Sequence, residues 1–229
     1  MSNSSEVLSL VATADGSNTL FNAQVGEHYH SRHGALQESK HVFLNSGLKF
    51  LLEKERRNHA DILEVGFGTG LNFLLTADYC TFSSIKLSYT GIEAYPLFED
   101  LIFNTGYDRF VSEETWNQFV YAYATAQKEE CQFSQLCSLR ISVEKLEHFQ
   151  TGQSFDLIYF DAFAAIHQPE MWSNDMIEKC AAYLRPGGVF VTYAITGNLK
   201  RCLKAAGFSV EKAPGAPGKR EMLRAVREF

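Results

Sequence analysis

Residues 61–72 carry the strongest fold signal in the chain; they read Asp61-Ile62-Leu63-Glu64-Val65-Gly66-Phe67-Gly68-Thr69-Gly70-Leu71-Asn72. The first five residues form a short apolar run that ends at a glycine cluster, which predicts a buried strand. The apolar pattern resumes over Leu71–Ala77 and predicts a helix. A strand, a glycine turn and a helix in this order are typical of a parallel sheet that binds a ligand at the carboxyl ends of its strands.

The same alternation continues along the chain. Predicted strands are Ile85–Glu93, Ser138–Val143, Phe155–Asp161, Gly188–Ala194, Phe208–Lys212 and Met222–Val226. Predicted helices are His41–Arg57, Leu97–Thr105, Ser112–Phe133, Ser173–Leu184 and Gly197–Ala206. Strands that alternate with helices indicate the α/β class, with a Rossmann-like, doubly wound and mainly parallel sheet.

The composition is that of an ordinary globular protein. Of the 229 residues, 45% are apolar and 21% are charged, which excludes disordered, collagen-like and membrane-embedded chains. The net charge of −6 excludes a general binder of polyanions, but residues 195–229 carry a local charge of +5. A nucleic-acid partner is therefore compatible with the sequence if it meets the C-terminal end.

Cysteine usage and the N-terminal sequence predict a cytoplasmic protein. The five cysteines are an odd number without a C-x-x-C pair, which favours reduced thiols over a disulfide framework or a zinc site. Residues 1–13 lack the lysine or arginine of a signal peptide, and no apolar run reaches the ~18 residues of a membrane span. Four clustered histidines have no supporting acid or thiol group, so we expect no metal; they are His28, His30, His33 and His41.

The spacing of the glycines favours an adenosyl ligand. The loop reads G-x-G-x-G, with Leu71 where a dinucleotide-binding loop has its third glycine. Glu93 ends the next predicted strand, where a carboxylate accepts hydrogen bonds from both ribose hydroxyls. Glu64 lies inside an apolar strand and needs donors, which loop amides or a ligand cation supply. A sulfonium suits such an acidic pocket, so we predict S-adenosylmethionine as the cofactor; a plain tight turn and a solvated acid are the alternatives.

Asp161 is the candidate catalytic residue. It follows the apolar run Phe155–Phe160, at the carboxyl end of the fourth long predicted strand. A carboxylate there can hold an amine nucleophile or accept its proton, and Phe163 can flank a planar base. The alternative is a loop aspartate that caps a helix. Trp172 is better explained as a core residue than as a platform for substrate.

Several motifs along nearly the whole chain resemble one known family. They are Thr13–Ser17 (TADGS), Tyr29–Glu38 (YHSRHGALQE), Gly66–Asn72, Tyr159–Phe163 with Pro169–Trp172, and Gly218–Leu223 (GKREML). These motifs are similar to the methyltransferase domain of the bifunctional tRNA 5-methylaminomethyl-2-thiouridine biosynthesis proteins and to stand-alone forms of that domain. The resemblance implies a class I S-adenosylmethionine-dependent methyltransferase fold whose last strand is antiparallel.

The resemblance also implies an activity and a set of site residues. The reaction is methylation of the aminomethyl nitrogen of 5-aminomethyl-(2-thio)uridine at wobble position 34 of tRNA, with Asp161 as catalytic residue. The cofactor-binding residues are Glu64, Gly66, Gly68, Gly70, Asn72, Glu93 and Glu144. The substrate-binding residues are Tyr29, Phe163, Lys219 and Arg220, the last two as contacts to tRNA phosphates.

Two positions depart from the family pattern. The usual Gly-Asp at the end of the third strand is absent from Ile141–Glu144, so Glu144 stands in as the contact to adenine. Ala165 replaces a frequent proline in the loop after Asp161. We expect one domain over residues 1–229, with residues 1–40 as an irregular segment that covers the catalytic end. The expected partners are the anticodon region of tRNA and an FAD-dependent oxidase on a separate protein.

Two other functions compete with tRNA modification. The first is a methyl- or aminopropyltransferase of the same fold that acts on a small amine, whose cofactor loop usually carries a further acid where this chain has Thr69. The second is an adenosyl-binding scaffold without catalysis, which the presence of Glu64, Glu93 and Asp161 disfavours.

Overall fold

The computed structural model describes residues 7–228, and its first elements form a small antiparallel sheet. The strands are β1 (Leu8–Ala12), β2 (Asn18–Asn22) and β3 (Glu27–His28). The prediction of an irregular segment is therefore wrong for these residues, and residues 1–6 of that segment lie outside the described part. The short strands escaped the sequence pattern because only Leu20 and Thr19 in β2 are fully buried.

The polar residues of this segment make the turn of a hairpin and cap a helix. The hydroxyls of Thr13 and Ser17 donate to Asp15 Oδ1, at 2.8 and 2.5 Å. The same three side chains accept hydrogen bonds from the first backbone N–H groups of the helix that begins at Ala35; Leu36 N–H donates to Ser17 Oγ and Gln37 N–H to Asp15 Oδ2. Helix starts leave such donors without partners, so the hairpin fixes where this helix begins.

A large mixed sheet holds the other strands of residues 7–228. They are β4 (His59–Val65), β5 (Lys86–Ile92), β6 (Cys131–Ser134), β7 (Cys137–Ser142), β8 (Phe155–Phe160), β9 (Leu184–Thr192), β10 (Phe208–Pro214) and β11 (Glu221–Arg227). Their order across the sheet is β10-β11-β9-β8-β4-β5-β7-β6. Strands β7, β5, β4, β8 and β9 are parallel, whereas β11 is antiparallel to both neighbours. The predicted mainly parallel sheet with an antiparallel last strand is confirmed.

Helices cover both faces of this sheet. They are α1 (Ala35–Glu38), which continues through a π-helical segment (Ser39–Lys49) into α2 (Phe50–Glu55), then α3 (Leu71–Phe82), α4 (Glu99–Phe103), α5 (Glu113–Ala126), α6 (Asn174–Tyr183) and α7 (Gly197–Ala205). Short 3₁₀ turns occupy Tyr107–Phe110 and Pro169–Trp172. One apolar core joins α1–α3 and α5 to the sheet, and a second joins α6 and α7 to the opposite face. The doubly wound architecture is therefore confirmed. No helix within residues 7–228 is both long and apolar enough to span a lipid bilayer.

One predicted helix is too long. The helix predicted over Ser112–Phe133 ends at Ala126, and its last residues form β6, which pairs antiparallel with β7 at the edge of the sheet. Phe133 is buried there, edge-on to Phe73 with ring centroids 4.9 Å apart, while Gln132 is exposed. This alternation is a strand pattern, but it extends over too few residues to stand out from the helix before it.

The order of the strands reverses at β4, which places the site. The chain proceeds from β4 to β5 and β7 on one side and returns to β8 on the other. Loops at the carboxyl ends of β4 and β8 therefore face each other across a crevice, the usual ligand site of such sheets. The Asp161 N–H donates to the carbonyl of Val65 at 2.8 Å, so the residue after β8 is fixed beside the end of β4.

Candidate active site

A cavity of about 1180 Å³ opens at this crevice. It exceeds the roughly 300–1,000 Å³ of an ordinary small-molecule site, so it has room for two ligands side by side. Eight predicted site residues line it: Tyr29, Gly66, Gly68, Glu93, Glu144, Asp161, Phe163 and Lys219. Four others are not among its described lining residues: Glu64, Gly70, Asn72 and Arg220.

The glycine loop is pressed against the loop that carries Asp161. The N–H groups of Gly66 and Phe67 both donate to the carbonyl of Ile92, at 3.0 and 3.1 Å, which holds the loop against the end of β5. Gly66 has a φ of +87°, and a Cβ atom there would lie 2.4 Å from the carbonyl oxygen of Asp161. Glycine is required for both reasons. The absence of a side chain at Gly66 therefore lets the two loops lie in contact at the edge of the cavity.

Glu93 presents a carboxylate to the cavity at the end of β5. Its Oε2 accepts a hydrogen bond from the Gly68 N–H and its Oε1 from the Tyr95 N–H, both at 2.9 Å. Each carboxylate oxygen accepts at two lone-pair sites, so each keeps one for a ligand hydroxyl. Burial raises the pKa of Glu93, and the hydrogen bonds from these amides oppose that rise. The residue joins the glycine loop to the end of β5 and lines the cavity.

The two ends of β8 carry carboxyl groups whose pKa values are shifted in opposite directions. Asp156, at the amino end, is bonded to the guanidinium groups of Arg57 and Arg185 and accepts from the Asp61 N–H. Burial favours its neutral form, but these donors outweigh it and hold the pKa of Asp156 below its usual value. Asp161, just past the carboxyl end, has no arginine partner among the described residues and lines the cavity.

Asp161 has the properties of a proton acceptor at mildly alkaline pH. Burial is the main cause that raises its pKa to about 8, and the nearby Glu38 carboxylate adds to the rise. The Asn72 amide donates to Asp161 Oδ2 at 2.8 Å and opposes it. No described residue donates to the other carboxylate oxygen, Oδ1. Perturbed carboxyl groups in a cavity are typical of catalytic sites.

Glu64 lies beneath the cavity rather than in it. It is fully buried, and its two oxygens accept hydrogen bonds from Asn72 Nδ2 and the Tyr89 hydroxyl, both at 2.8 Å. Its position does not support the predicted direct contact with a cofactor. Gly70 packs against Phe119 and Phe67 and serves the core. The sequence correctly predicted that Glu64 needs donors but assigned them to the glycine-loop amides or a ligand cation, whereas Asn72 and Tyr89 supply them.

The small N-terminal sheet contacts both loops of the site. The Tyr29 ring meets Phe163 edge-on, with centroids 5.1 Å apart, and a Cβ on Gly68 would lie 3.1 Å from it. Glu27 accepts a hydrogen bond from the Ala164 N–H at 2.8 Å and so ties β3 to the Asp161 loop. No sequence signal identified Glu27. Trp172 is buried and donates to the Phe163 carbonyl at 2.7 Å, in agreement with its interpretation as a core residue.

Lys219 lines the cavity and forms an ion pair there with Glu38. Its ammonium lies 2.6 Å from Glu38 Oε2 and 4.0 Å from the centroid of the Tyr193 ring. Glu38 is buried and lies in the YHSRHGALQE motif, but nothing in the sequence indicated its partner, 181 residues away. The position of Lys219 does not support the predicted contact with tRNA phosphates. Arg220, the next residue, is exposed.

Two of the four clustered histidines make single contacts with distant residues. His30 is buried, its Nδ1 lies 3.2 Å from Thr19 Oγ1, and burial lowers its pKa to about 4. His41 Nε2 lies 2.7 Å from the Pro214 carbonyl. Within residues 7–228, no three histidine, cysteine or acidic side chains are grouped to hold a metal ion.

A doubly wound sheet with a close-approach glycine loop and an acidic strand end is typical of enzymes that bind an adenosine-containing ligand at this edge. The sequence model of a family described as S-adenosyl-L-methionine-dependent methyltransferases matches residues 111–228. The chain belongs to this family, and its cofactor is S-adenosylmethionine.

Curated relatives are similar over almost the whole chain. A tRNA 5-methylaminomethyl-2-thiouridine biosynthesis bifunctional protein MnmC from Magnetococcus marinus is 33% identical over 214 residues, 88% of this chain and 31% of the relative. The protein of the same name from Aromatoleum aromaticum is 30% identical over 94% of this chain and 34% of its own length. The resemblance inferred from the motifs is confirmed, and the chain spans about a third of the length of these relatives.

A solved structure has the same fold. The crystal structure of MNMC2 from Aquifex aeolicus aligns with a TM-score of 0.76 and 23% identity, over 95% of this chain and 70% of that one. The sugar N-methyltransferase KedS8 from a Streptoalloteichus species aligns with a TM-score of 0.50 and 13% identity, over 84% of this chain and 87% of that one. The class I methyltransferase fold predicted from the sequence is confirmed.

Replacing Glu93 with alanine should weaken the binding of S-adenosylmethionine by about 1.5–3 kcal/mol, the range of hydrogen bonds to a charged group. The substitution removes the acceptor that we expect for the ribose hydroxyls and leaves the Gly68 N–H without its partner. Calorimetric titration measures the change. Glu99→Ala, an exposed acid at the start of α4, is the control. Unchanged affinity in Glu93→Ala would contradict the ribose-binding role.

Proposed function

We propose that this chain methylates the aminomethyl nitrogen of 5-aminomethyl-(2-thio)uridine at wobble position 34 of tRNA, giving the 5-methylaminomethyl derivative. The observation that carries the proposal is the similarity, over 88–94% of the chain, to proteins named for the biosynthesis of this nucleoside. A cavity with room for a cofactor and a nucleoside supports it. The proposal places the protein in the cytoplasm, together with its tRNA substrate.

The residues around the cavity fit the cofactor. Gly66 and Gly68 line the cavity and carry no side chains, so a ligand meets backbone there, and Glu93 offers a free acceptor site on each oxygen. In our proposal, Gly66, Gly68 and Glu93 hold the ribose and methionine parts. Glu144, which accepts a hydrogen bond from Ser142 at the end of β7 and lines the cavity, faces the adenine. The bound cofactor supplies an electrophilic methyl group on a sulfonium sulfur.

The chain's own residues then have to present an uncharged amine. A primary amine is mostly protonated at neutral pH, so its lone pair is unavailable until a proton leaves. Asp161 lines the cavity, and its Oδ1, which accepts no hydrogen bond within residues 7–228, takes one proton from the nitrogen, whose positive charge grows as it gains the methyl group. The aromatic pair of Tyr29 and Phe163 flanks the uracil ring. These positions keep the nitrogen in line for transfer.

Cationic and aromatic side chains around the cavity suit an RNA partner. Arg32 and Arg220 are exposed, and neither forms an ion pair within residues 7–228. Arg32 lines the cavity, and His33 packs against Gly218, next to Lys219 and Arg220. At the cavity rim, two aromatic rings are available to stack on nucleobases: Tyr95, 71% exposed, and Phe98, 68% exposed. We propose that Arg32, Arg220, Tyr95 and Phe98 bind the anticodon region.

A second activity has to supply the substrate amine. We propose that an FAD-dependent oxidase, implied by the family resemblance, acts before this methyl transfer. The curated relatives are named as bifunctional proteins, which supports two linked activities.

Nucleoside analysis tests the proposed reaction. Undermodified tRNA carrying 5-aminomethyl-2-thiouridine is incubated with the protein and methyl-labelled S-adenosylmethionine, digested and separated by chromatography with mass detection. We expect the label in 5-methylaminomethyl-2-thiouridine at position 34. Label in another nucleoside, or none in RNA while a small amine is methylated, would contradict the proposal.

Arg220→Ala should lower the steepness of the salt dependence of tRNA binding by about one unit, because it removes one phosphate contact. Lys219→Ala is the matched comparison and should leave this slope unchanged, since its ammonium is already paired with Glu38. Binding measured between low and moderate salt gives both slopes. A reduced slope in Lys219→Ala alone would mean that Lys219, and not Arg220, contacts a tRNA phosphate.

A further inference from the structure

Asn72 joins two carboxyl groups at the base of the active site. It is the second residue of α3 and only 4% exposed. Its Nδ2 donates both hydrogens, one to Glu64 Oε1 and one to Asp161 Oδ2, each at 2.8 Å. One amide thus connects the end of β8 with the interior of β4.

The Asn72 amide is oriented so that its oxygen, and not its NH₂ group, lacks a hydrogen-bond partner. Asn72 Oδ1 is buried and has no hydrogen-bond partner, although an unsatisfied buried acceptor is destabilising. When Asp161 is ionised, turning the amide over would place this oxygen against a carboxylate that has no proton to donate. The two acceptors together therefore hold the amide with its donors toward Asp161.

Glu64 is itself held from the other side. The Tyr89 hydroxyl, on the neighbouring strand β5, donates to Glu64 Oε2 at 2.8 Å. Both residues are buried, so a hydrogen-bonded chain extends from Tyr89 through Glu64 and Asn72 to Asp161. Only the last member lines the cavity.

We infer that Asn72 is a positioning residue for the reaction: it holds Oδ2 of Asp161, leaves Oδ1 without a donor and so available to the substrate amine, and is itself oriented by Glu64. This inference rests on the proposed function in one respect, the action of Asp161 on an amine. It replaces the sequence-based assignment of Asn72 and Glu64 as direct contacts to the cofactor.

The two roles of Asn72 predict opposite results. Asn72→Ala in a positioning role leaves the Kd for S-adenosylmethionine within about twofold and lowers kcat by about 10- to 100-fold, the scale of a misplaced reacting group. Loss of the amide also moves the pKa of Asp161 upward, because its hydrogen bond favours the charged carboxylate. In a cofactor-binding role, the Kd for S-adenosylmethionine rises and kcat at saturating cofactor stays as in the wild type.

A control variant on the same helix removes a different hydrogen bond. Thr76→Val breaks the contact between Thr76 Oγ1 and the Tyr159 hydroxyl, 3.3 Å apart, one turn beyond Asn72 and equally buried. We expect it to leave the Asp161 titration and kcat as in the wild type. If Thr76→Val moves both as far as Asn72→Ala does, general loosening of α3 explains the effect and the inference is wrong.

Two substitutions of Glu64 test its part. Glu64→Gln keeps an acceptor for Asn72 and should lower kcat by at most about threefold, whereas the non-polar Glu64→Leu should lower it as much as Asn72→Ala does. Equal losses in both variants would contradict orientation of the amide by Glu64. The two Glu64 variants also test the positioning role if Asn72→Ala does not fold.

The titration separates this inference from the proposed function. The Asp161 carboxyl is followed by carbon NMR in the S-adenosylmethionine-bound protein labelled at aspartate, with Asp161→Asn to assign the signal. This measurement needs no tRNA. An upward shift in Asn72→Ala supports the positioning role even if the tRNA assay fails, and an unmoved titration overturns it even if tRNA is methylated.

Discussion

Asp161→Asn should lower kcat by about 10²–10⁴, the usual contribution of a positioned acid–base group, and leave the affinity for S-adenosylmethionine nearly unchanged. Asparagine keeps the shape and can still accept the hydrogen bond from Asn72, but it carries no negative charge and cannot take a proton from the amine. Transfer of a labelled methyl group to tRNA measures kcat, and calorimetry measures the affinity.

The pH dependence gives this prediction a second test. The carboxyl must be ionised to accept a proton, and its pKa is raised to about 8, so wild-type kcat should increase as the pH rises through 8. In Asp161→Asn only the ionisation of the substrate amine remains. Asp175→Asn removes an exposed carboxylate that lines the same cavity and should behave as the wild type. Near-normal turnover with lost cofactor affinity in Asp161→Asn would show that the residue binds the cofactor.

Gly66→Ala should reduce both the affinity for S-adenosylmethionine and kcat, the latter by about 100-fold or more, because a shift of about 1 Å in a reacting group costs that much. The new Cβ would lie 2.4 Å from the Asp161 carbonyl oxygen, which is backbone and cannot turn aside. The φ of +87° adds strain of roughly 1–3 kcal/mol, visible as a lower melting temperature. Calorimetry, kinetics and thermal unfolding measure the three effects.

Two other glycines separate the causes. Gly207 has a φ of +83° with open space around it, so Gly207→Ala should lower stability and leave the kinetics unchanged. Gly152 has open space and no positive φ, so Gly152→Ala should change neither. Gly66→Ala with kinetics like those of Gly207→Ala would mean that the contact with Asp161 has no part in catalysis.

The centre of the fold could be predicted because its signals are local. Buried parallel strands are short apolar runs, and the glycine cluster after Val65 shows where the first one ends. The acids at the ends of β5 and β8 follow from the same pattern, since parallel strands bring their carboxyl ends to one edge. Glu93 and Asp161 were therefore placed correctly before any contact was known.

The remaining features depend on contacts between distant parts of the chain. From the sequence alone, Lys219 is indistinguishable from a surface cation, because its partner Glu38 is distant in the chain. Glu64 is likewise interpreted as a ligand contact, because the sequence does not show that Tyr89 and Asn72 donate to its oxygens. The N-terminal sheet has the same difficulty, because its polar residues look like a loop until the helix at Ala35 supplies their partners. Periodicity describes which face is buried and does not identify such partners.

The opposite pKa shifts of the two carboxyl groups on β8 have a consequence for the pH dependence of stability. Asp156 contributes stability that is present above its unfolded pKa of 3.8 and is lost only as the pH falls through its lower folded value. Asp161 acts in the reverse sense: its folded pKa of about 8 lies above 3.8, so the folded state loses stability as the pH rises between these values. Ionisation of Asp161 therefore opposes folding more at pH 8 than at pH 6, so the pH that produces the carboxylate needed in our proposal is also the pH at which this group stabilises the fold least.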